Sequence, residues 1–342
     1  MKTASGFTFK VEKYTGYSSR QATILINYEG KEYPMIINQA QDAALFKGAV
    51  SEKARELAYK VSYITKVTSD SYSRIDDNVS MLTMQFNGQG TGSNYPMAMY
   101  LYEIDLAGDV SLAVTCADDS DASIKTNAAE RTITQTMMLQ LVNMQVNRPT
   151  VSILGGVNGD FFLQDENNLL QGVCYRNGVC LKDSFYDSEN TVFAIKKDGT
   201  AIIMDKTAYG SMKSVIREAV GGRRRLISNG NIYGSDNSEY EPRTAVGVSE
   251  DKRTVYLLVI DGRNESWSFG ATYHDAAKIL LAAGAYNAIN LDGGGSTTFV
   301  QKISDNGTSS SHYKVNNKPA EKDGSSTERA VVNGLAIVKI LN

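Results

Sequence analysis

The feature that most constrains the fold is a strand-helix-strand unit running from Thr254 to Leu291 and ending in Asp292-Gly293-Gly294-Gly295-Ser296. Thr254 to Ile260 reads as a strand that closes on Asp261-Gly262-Arg263. Thr272 with Asp275 three residues on is a capping-box pattern, and Ala276, Ile279, Leu280 and Ala283 give one apolar helical face. Gly284 stands where a C-terminal cap belongs, and Tyr286 to Leu291 reads as the next strand. A helix of this length between two strands of one sheet is a crossover, so the strands run parallel and finish on the same edge. If they are neighbours, their backbones lie about 5 Å apart. Asp261 and Asp292 then come together at the carboxyl ends of the strands, where open sheets bind ligands.

The rest of the chain is richer in strands. Thr244 to Val248 forms an antiparallel hairpin with the Thr254 strand, and Met97 to Leu106 with Val110 to Thr115 predicts another across Ala107-Gly108-Asp109. Asn177-Gly178 and Asp198-Gly199 mark two more hairpin turns. Ile133, Met137, Met138, Leu141 and Met144 predict an amphipathic helix that stops before Pro149. Val151 to Leu154 is a short buried strand running into Gly155-Gly156-Val157-Asn158-Gly159-Asp160. The polar stretch from Ser304 to Glu328 reads as a mobile flap, and Arg329 to Val338 as a last strand. Residues 1–66 read as a small N-terminal strand/helix element. Phe7, Phe9 and Val11, and parts of Thr23 to Asn27, alternate as strands, and Ser51 caps a helix carrying Ala54, Leu57, Ala58, Val61 and Ile64. Residues 67–342 form the main domain. The class is α+β: a mixed, largely antiparallel sheet core with one strand-helix-strand crossover and flanking helices.

Composition narrows the function. A chain of 342 residues that is 42% hydrophobic and 21% charged, with 5 prolines, has ample material for a folded core. A net charge of -3 gives no electrostatic footprint for nucleic acid, and no apolar stretch reaches the length of a membrane span. Two histidines, His274 and His312, exclude a histidine-rich metal site, and no Gly-x-Ser-x-Gly elbow supports a serine hydrolase. No cofactor is expected, although carboxylates alone could hold calcium or magnesium. Cys174 and Cys180 flank Arg176-Asn177-Gly178. A hairpin bridge is one reading; a two-residue turn instead pairs Cys180 with Tyr175 and Cys174 with Leu181, favouring free thiols. Polar residues follow Met1-Lys2-Thr3 with no apolar signal region, which fits either a cytoplasmic protein or an exported one whose signal is absent from this sequence.

Gly293-Gly294-Gly295-Ser296 can expose consecutive backbone amides as a nest for an oxyanion, although three glycines also make an ordinary tight turn. No Gly-Lys-Ser/Thr follows, so the run is not a nucleotide P-loop. Asp160, Asp261, Asp292 and Glu328 are the candidate pocket carboxylates. Glycosidic cleavage uses two such groups, one protonated and one ionised. The alternative for any of them is a turn-forming aspartate beside glycine, and Asn158-Gly159-Asp160 fits that description best. Arg243, Arg263 and Arg329 stand at predicted strand ends, where their planar forks suit a phosphodiester or an internal ion pair.

The ordered set Val157-Asn158-Gly159-Asp160-Phe161-Phe162, Arg243-Thr244-Ala245-Val246-Gly247, Val259-Ile260-Asp261-Gly262-Arg263, Ser268-Phe269-Gly270-Ala271-Thr272, Gly284 to Ala288, Asn290 to Thr297, and Glu328 to Asn333 resembles the phosphodiester glycosidase family. The resemblance runs from about residue 70 to the end and leaves residues 1–66 outside. It implies hydrolysis of a glycosyl phosphodiester at the anomeric carbon of a sugar, of N-acetylglucosamine type or a related glycan. It also implies an extracytoplasmic location: periplasmic, cell-surface or secreted. Asn158, Asp160, Arg243, Asp261, Arg263, Asp292, Ser296 and Glu328 become pocket residues, with Asp292 and Asp261 the working carboxylate pair and Arg243 and Arg263 on the phosphate. Thr244, Gly293, Gly294, Gly295 and Arg329 complete the expected substrate contacts. Two departures stand out: Asp275 where relatives favour glutamate, and Asn317-Lys318-Pro319-Ala320 where they carry Asn-x-Pro-Ser. The competing function is a non-catalytic module that binds phosphorylated or acidic glycans.

Overall fold

The computed structural model describes residues 19–39, 43–89, 94–127, 129–235, 239–304 and 308–341. The alternation at Phe7, Phe9 and Val11 falls outside them. The elements that matter here are β1 (Arg20–Tyr28), β2 (Lys31–Gln39), α1 (Glu52–Lys60), β3 (Ile64–Asp76), β4 (Val79–Gln89), β5 (Asn94–Asp105) and β6 (Val110–Cys116). They continue with α2 (Met137–Asn147), β7 (Val151–Asn158), β8 (Ile216–Ser228), β9 (Arg243–Val248), β10 (Thr254–Ile260) and α3 (Tyr273–Ala283). The last are β11 (Asn287–Asn290), β12 (Phe299–Lys302), β13 (Tyr313–Val315) and β14 (Asn333–Ile340).

Two sheets carry the fold. The larger runs β8-β11-β9-β10-β5-β4-β3, with further strands beyond β8, and the smaller runs β13-β12-β7-β14-β6. Their facing sides share one apolar core: Tyr102, Val246, Leu257, Val259 and Ile289 from the larger meet Leu112, Val114, Val157, Phe299 and Ile337 from the smaller. Tyr102 stacks on Phe299 with ring centroids 4.2 Å apart, and its hydroxyl donates to the Val300 carbonyl at 3.0 Å, so a large aromatic is buried with its polar tip paired. The outer face of the larger sheet is covered by α1 and α3, and that of the smaller sheet by α2. The order of layers is helix, sheet, sheet, helix, an α+β architecture with largely antiparallel sheets.

The crossover forms as its sequence dictates. Thr272 and Asp275 close a reciprocal capping box at the start of α3, so the shorter acid still completes the cap, and Gly284 ends the helix at φ 119°. β10 and β11 do run parallel, because each is antiparallel to β9. They are not neighbours, however. β9 lies between them, with Ala245 paired to Leu258 on one side and to Asn290 on the other. Asp261 and Asp292 therefore share an edge but stand two strand spacings apart, roughly 10 Å along the sheet.

Four other expectations change. β5 and β6 are no hairpin: β5 pairs with β4 and β10, β6 pairs with β14, and Ala107-Gly108-Asp109 turns the chain from one sheet to the other. Ile133 is exposed and lies before α2. Part of the stretch expected as a flap is tied down, since β13 pairs with β12 and Asn317 beyond it bonds to Asp261. The Asn177-Gly178 hairpin forms with Tyr175 opposite Cys180, but a bulge places Cys174 opposite Lys182 rather than Leu181. Cys116, Cys174 and Cys180 are free thiols.

Within the first 66 residues, β1 and β2 make a separate two-stranded hairpin. Helix α1 packs on α3, with Lys53 and Lys60 donating to the carbonyls of Ala283 and Ala282, both at 3.2 Å, at the negative end of that helix. Ser51 holds the N-cap position without a side-chain bond; its amide and that of Val50 donate to Asp70 on β3 instead. Strand β3 itself runs through residue 66. Among the described residues no helix is long and apolar enough to cross a membrane.

Candidate active site

Strand ends from both sheets converge on one place. β7 runs into Asn158–Asp160, β10 into Asp261, and β11 into Asp292, while β12 and β14 begin there. Buried Asn158 sews the sheets together. Its Nδ2 donates to the Asp292 carbonyl at 2.6 Å, and its Oδ1 accepts from the Thr244 hydroxyl at 2.7 Å and the Thr298 amide at 3.0 Å. The Asp292 amide donates to the Gly159 carbonyl at 2.9 Å, and the Asp160 amide to Asn333 Oδ1 at 2.9 Å. Asn158, held by Thr244 and Thr298, thus sets the position of the Asp292 backbone, and Asn333 that of Asp160. Asn333 does the same work and was not singled out by its sequence, since an Asn opening a strand carries no local mark.

Asp160, from the other sheet, follows the Gly159 carbonyl that the Asp292 amide bonds, and the charge of Asp292 reaches it. Asp160 is 1% exposed; Oδ2 accepts from the Gly172 amide at 2.7 Å, while Oδ1 is buried without a hydrogen-bond partner. Gly172 and Gly221 close on it so tightly that a Cβ added at Gly221 would lie 2.5 Å from Oδ2. Burial pushes its pKa up to about 7, against the pull of the Gly172 hydrogen bond and the Lys182 charge, and the negative charge of Asp292 adds to the rise. Asp292, at the glycine turn and partly exposed, is also pushed up to about 7 by burial, opposed by the Ser296 hydroxyl and the Arg329 charge. Both carboxyls therefore change protonation state closer to neutral pH than ordinary aspartates, the property an acid or a base at such a site needs.

Asp261 is engaged differently. Its carboxylate accepts from Trp267 Nε1 at 2.8 Å, Tyr100 Oη at 3.3 Å, Asn317 Nδ2 at 3.0 Å and the Lys318 amide at 3.0 Å. Burial raises its pKa to about 6, while these donors pull it down. With β9 between it and Asp292, Asp261 pins residues 317 and 318 to the sheet edge rather than facing Asp292. Asp261→Asn turns an amide donor towards existing donors, and each buried bond so lost costs about 1–3 kcal/mol. Thermal unfolding should show a fall of several degrees in Tm, with KM rising more than kcat falls. A tenfold larger loss in kcat than in KM at unchanged Tm would return Asp261 to the chemistry.

The arginines divide in the same way. Arg243 is buried, donates to the carbonyls of Ala271 at 2.9 Å and Glu239 at 2.6 Å, and lies 4.0 Å over the Tyr273 ring, so it braces the loops that carry these groups. Arg263 bonds Glu241 at 2.6 Å and the Ala320 carbonyl at 3.0 Å, with Nη2 against Gly294. Arg329 Nη1 donates to Ser296 Oγ at 3.3 Å, and its other nitrogens grip Glu321. Arg263 and Arg329 therefore flank the glycine turn. Glu328, expected among the pocket carboxylates, lines the cavity beside the glycine turn and also accepts from the Met138 amide at 2.9 Å at the start of α2. Glu328→Ala should cost about 1 kcal/mol of stability, read from denaturant unfolding, whereas a large loss of turnover at unchanged stability would contradict a purely capping role.

The glycine turn is less open than an amide nest. It is a single 3-10 turn in which Gly294 adopts φ 59° and its amide donates to the Pro242 carbonyl at 2.9 Å. The amides of Ser296 and Thr297 are bonded inside the turn, both at 3.2 Å. What the missing side chains provide is room: a Cβ at Gly294 would sit 2.9 Å from the Arg263 guanidinium, and one at Gly295 would run into Glu321 and Arg329. A cavity of about 490 Å³ opens alongside, lined by Arg263, Asn317, Lys318, Glu321, Ser325 and Glu328 among others. Asp160 and Asp292 are not part of its wall. Among the described residues no group of three or more His, Cys, Asp or Glu side chains is gathered as a metal site.

Two carboxyls and two arginines thus gather at the shared strand ends of a paired-sheet fold, and the chain belongs to the phosphodiester glycosidase family, whose sequence profile matches residues 152–338, more than half of it. Its particular relatives include the N-acetylglucosamine-1-phosphodiester alpha-N-acetylglucosaminidases of Bos taurus and Mus musculus. Each is 32% identical over 42% of this chain, a match spanning 30% of the bovine and 31% of the mouse protein. The chain thus spans about a third of the length of the curated relatives it matches. Among solved structures, the zebrafish enzyme of the same name, its catalytic domain auto-inhibited by a pro-peptide, shares the fold with a TM-score of 0.58 and 19% identity, covering 81% of this chain and 89% of that one.

Proposed function

We propose that the chain hydrolyses a glycosyl phosphodiester at the anomeric carbon, with Asp160 and Asp292 as the acid-base pair. What supports this reading is the pair itself: two carboxyls from different sheets, brought to the shared strand ends by the bond from the Asp292 amide to the Gly159 carbonyl and both pushed up by burial. Asp160, buried with one oxygen unpaired, is the group that keeps the proton. Asp292, supported by the Ser296 hydroxyl and the charge of Arg329, is the ionised one that acts on the substrate. Water adds to the anomeric carbon as its bond to the phosphate oxygen breaks, and the proton shed by water passes to the carboxyl pair. A phosphate monoester leaves as an anion, so it needs charge stabilisation more than protonation; Arg263 and Arg329 supply it.

N-acetylglucosamine is the sugar named in the relatives, and it is proposed here as the type of sugar released. An extracytoplasmic location accompanies that substrate class, and no cofactor is part of the proposal. The test is release of free sugar from a panel of glycosyl phosphodiesters that varies the sugar and the alcohol on the phosphate. Saturable turnover of at least one member is expected. Tight binding across the panel with no turnover would instead favour a module that only binds phosphorylated or acidic glycans.

A further inference from the structure

The place beside the glycine turn is already filled. Glu321 accepts from Arg329 Nε at 2.6 Å and also pairs with Nη2, a two-pronged carboxylate-guanidinium contact. Its carboxylate lies against Gly295, in the space that the missing side chain leaves. Arg329 at the same time holds Ser296 Oγ at 3.3 Å. One residue back, the Ala320 carbonyl accepts from Arg263 Nη1 at 3.0 Å. The same two arginines that flank the turn are therefore both engaged by the segment around Glu321.

That segment is built as a tip between two anchors. On one side Asn317 and Lys318 bond to Asp261; on the other Glu328 caps α2. Between them the chain folds back on itself, the Glu321 amide donating to the Ser325 carbonyl at 2.9 Å and the Gly324 amide to the Glu321 carbonyl at 3.2 Å, with Gly324 at φ 86°. Residues 322–326 are exposed. A tip closed by its own bonds can move as one piece about its anchors, and it is held to the site through groups that a phosphate would also seek.

We propose that Glu321 is a built-in stand-in for the substrate phosphate: its carboxylate occupies the anion position at Arg329 and Gly295, and an incoming phosphate displaces it and releases the 319–327 tip. The inference rests on the reading that this site takes a phosphodiester. Two anions cannot share one guanidinium fork, so Glu321 acts as an intramolecular competitor at high effective concentration. It favours ligands carrying a full phosphate charge over neutral glycosides, which lack the charge to compete.

The experiment measures binding of inorganic phosphate by calorimetry to the whole chain and to its Glu321→Gln and Glu321→Ala variants. Hydrogen exchange across residues 319–327 is followed with and without phosphate. Both variants should bind phosphate at least tenfold more tightly, and in the unsubstituted chain phosphate should speed exchange in the tip. Unchanged or weaker phosphate binding in two variants that unfold at the temperature of the parent would overturn the proposal, as would tip exchange that slows on binding. The outcome separates cleanly from the hydrolase reading. Tighter phosphate binding with no turnover of any phosphodiester keeps the competitor and removes the enzyme. Turnover by the parent with weakened phosphate binding in the variants makes Glu321 a substrate contact instead and ends the competitor.

Discussion

Asp292→Asn should lower kcat/KM for sugar release by about a thousandfold or more, with the fold and phosphate binding preserved. The loss is large because asparagine keeps the shape and the acceptor oxygen for Ser296 but can neither take a proton nor carry the negative charge. The structural ties of this residue run through its backbone, the carbonyl to Asn158 at 2.6 Å and the amide to Gly159 at 2.9 Å, and both survive the substitution. Circular dichroism and Tm should therefore match the parent. A variant retaining more than a tenth of the parent turnover would remove Asp292 from the chemistry.

The second large effect is expected at Asp160, and it has two readouts with opposite signs. Asp160→Asn should cut kcat by about a hundredfold or more and leave only the kcat/KM inflection that Asp292 places near neutral pH. It should also stabilise the protein at alkaline pH. The Asp160 pKa is raised from an ordinary 3.8 to about 7 in the folded chain, so the native state binds its proton more tightly than the unfolded one. Stability then falls as pH rises between those values, and the whole penalty is present above about 7. Asparagine does not titrate there, and its side-chain oxygen can keep the Gly172 bond. Tm of the variant minus Tm of the parent should thus grow from pH 4 to pH 8; a difference that is flat or shrinks over that range would mean Asp160 is ionised throughout. A site that costs the fold stability while serving catalysis is the trade expected of functional residues.

How much of this was legible in the sequence can be argued from the residues themselves. The crossover was, because its signals are local: a capping box, a 3.6-residue apolar face, a glycine at the C-cap and a strand on each side. Those signals give direction but not adjacency. Pairing of β9 between β10 and β11 is settled by tertiary packing, and it is what moves Asp261 away from Asp292. Ala107-Gly108-Asp109 shows the same limit, since identical turn residues serve a hairpin or a corner between sheets. Asp160 carried the weakest local case of the four acids because Asn158-Gly159-Asp160 also fits a plain turn. Its burial comes from Gly172 and Gly221, which only the folded chain brings against it. The structural ties of Arg243 and Glu328 are hidden in the sequence for a related reason. Their partners are backbone groups of Ala271, Glu239 and Met138, and no side-chain pattern marks a distant carbonyl or helix amide. Glu321 lies in a polar stretch of ordinary composition, and its position against Gly295 has no signature in the sequence.

The central claim, cleavage between the anomeric carbon and the phosphate oxygen, is tested most directly by running hydrolysis in water enriched in oxygen-18. The released phosphate monoester is then weighed by mass spectrometry, because the anomeric hydroxyl of a free sugar exchanges with water whereas phosphate oxygens do not. The account predicts a phosphate product free of the label, the new oxygen having gone to the sugar. A phosphate product carrying one heavy oxygen would mean attack at phosphorus, and would contradict it.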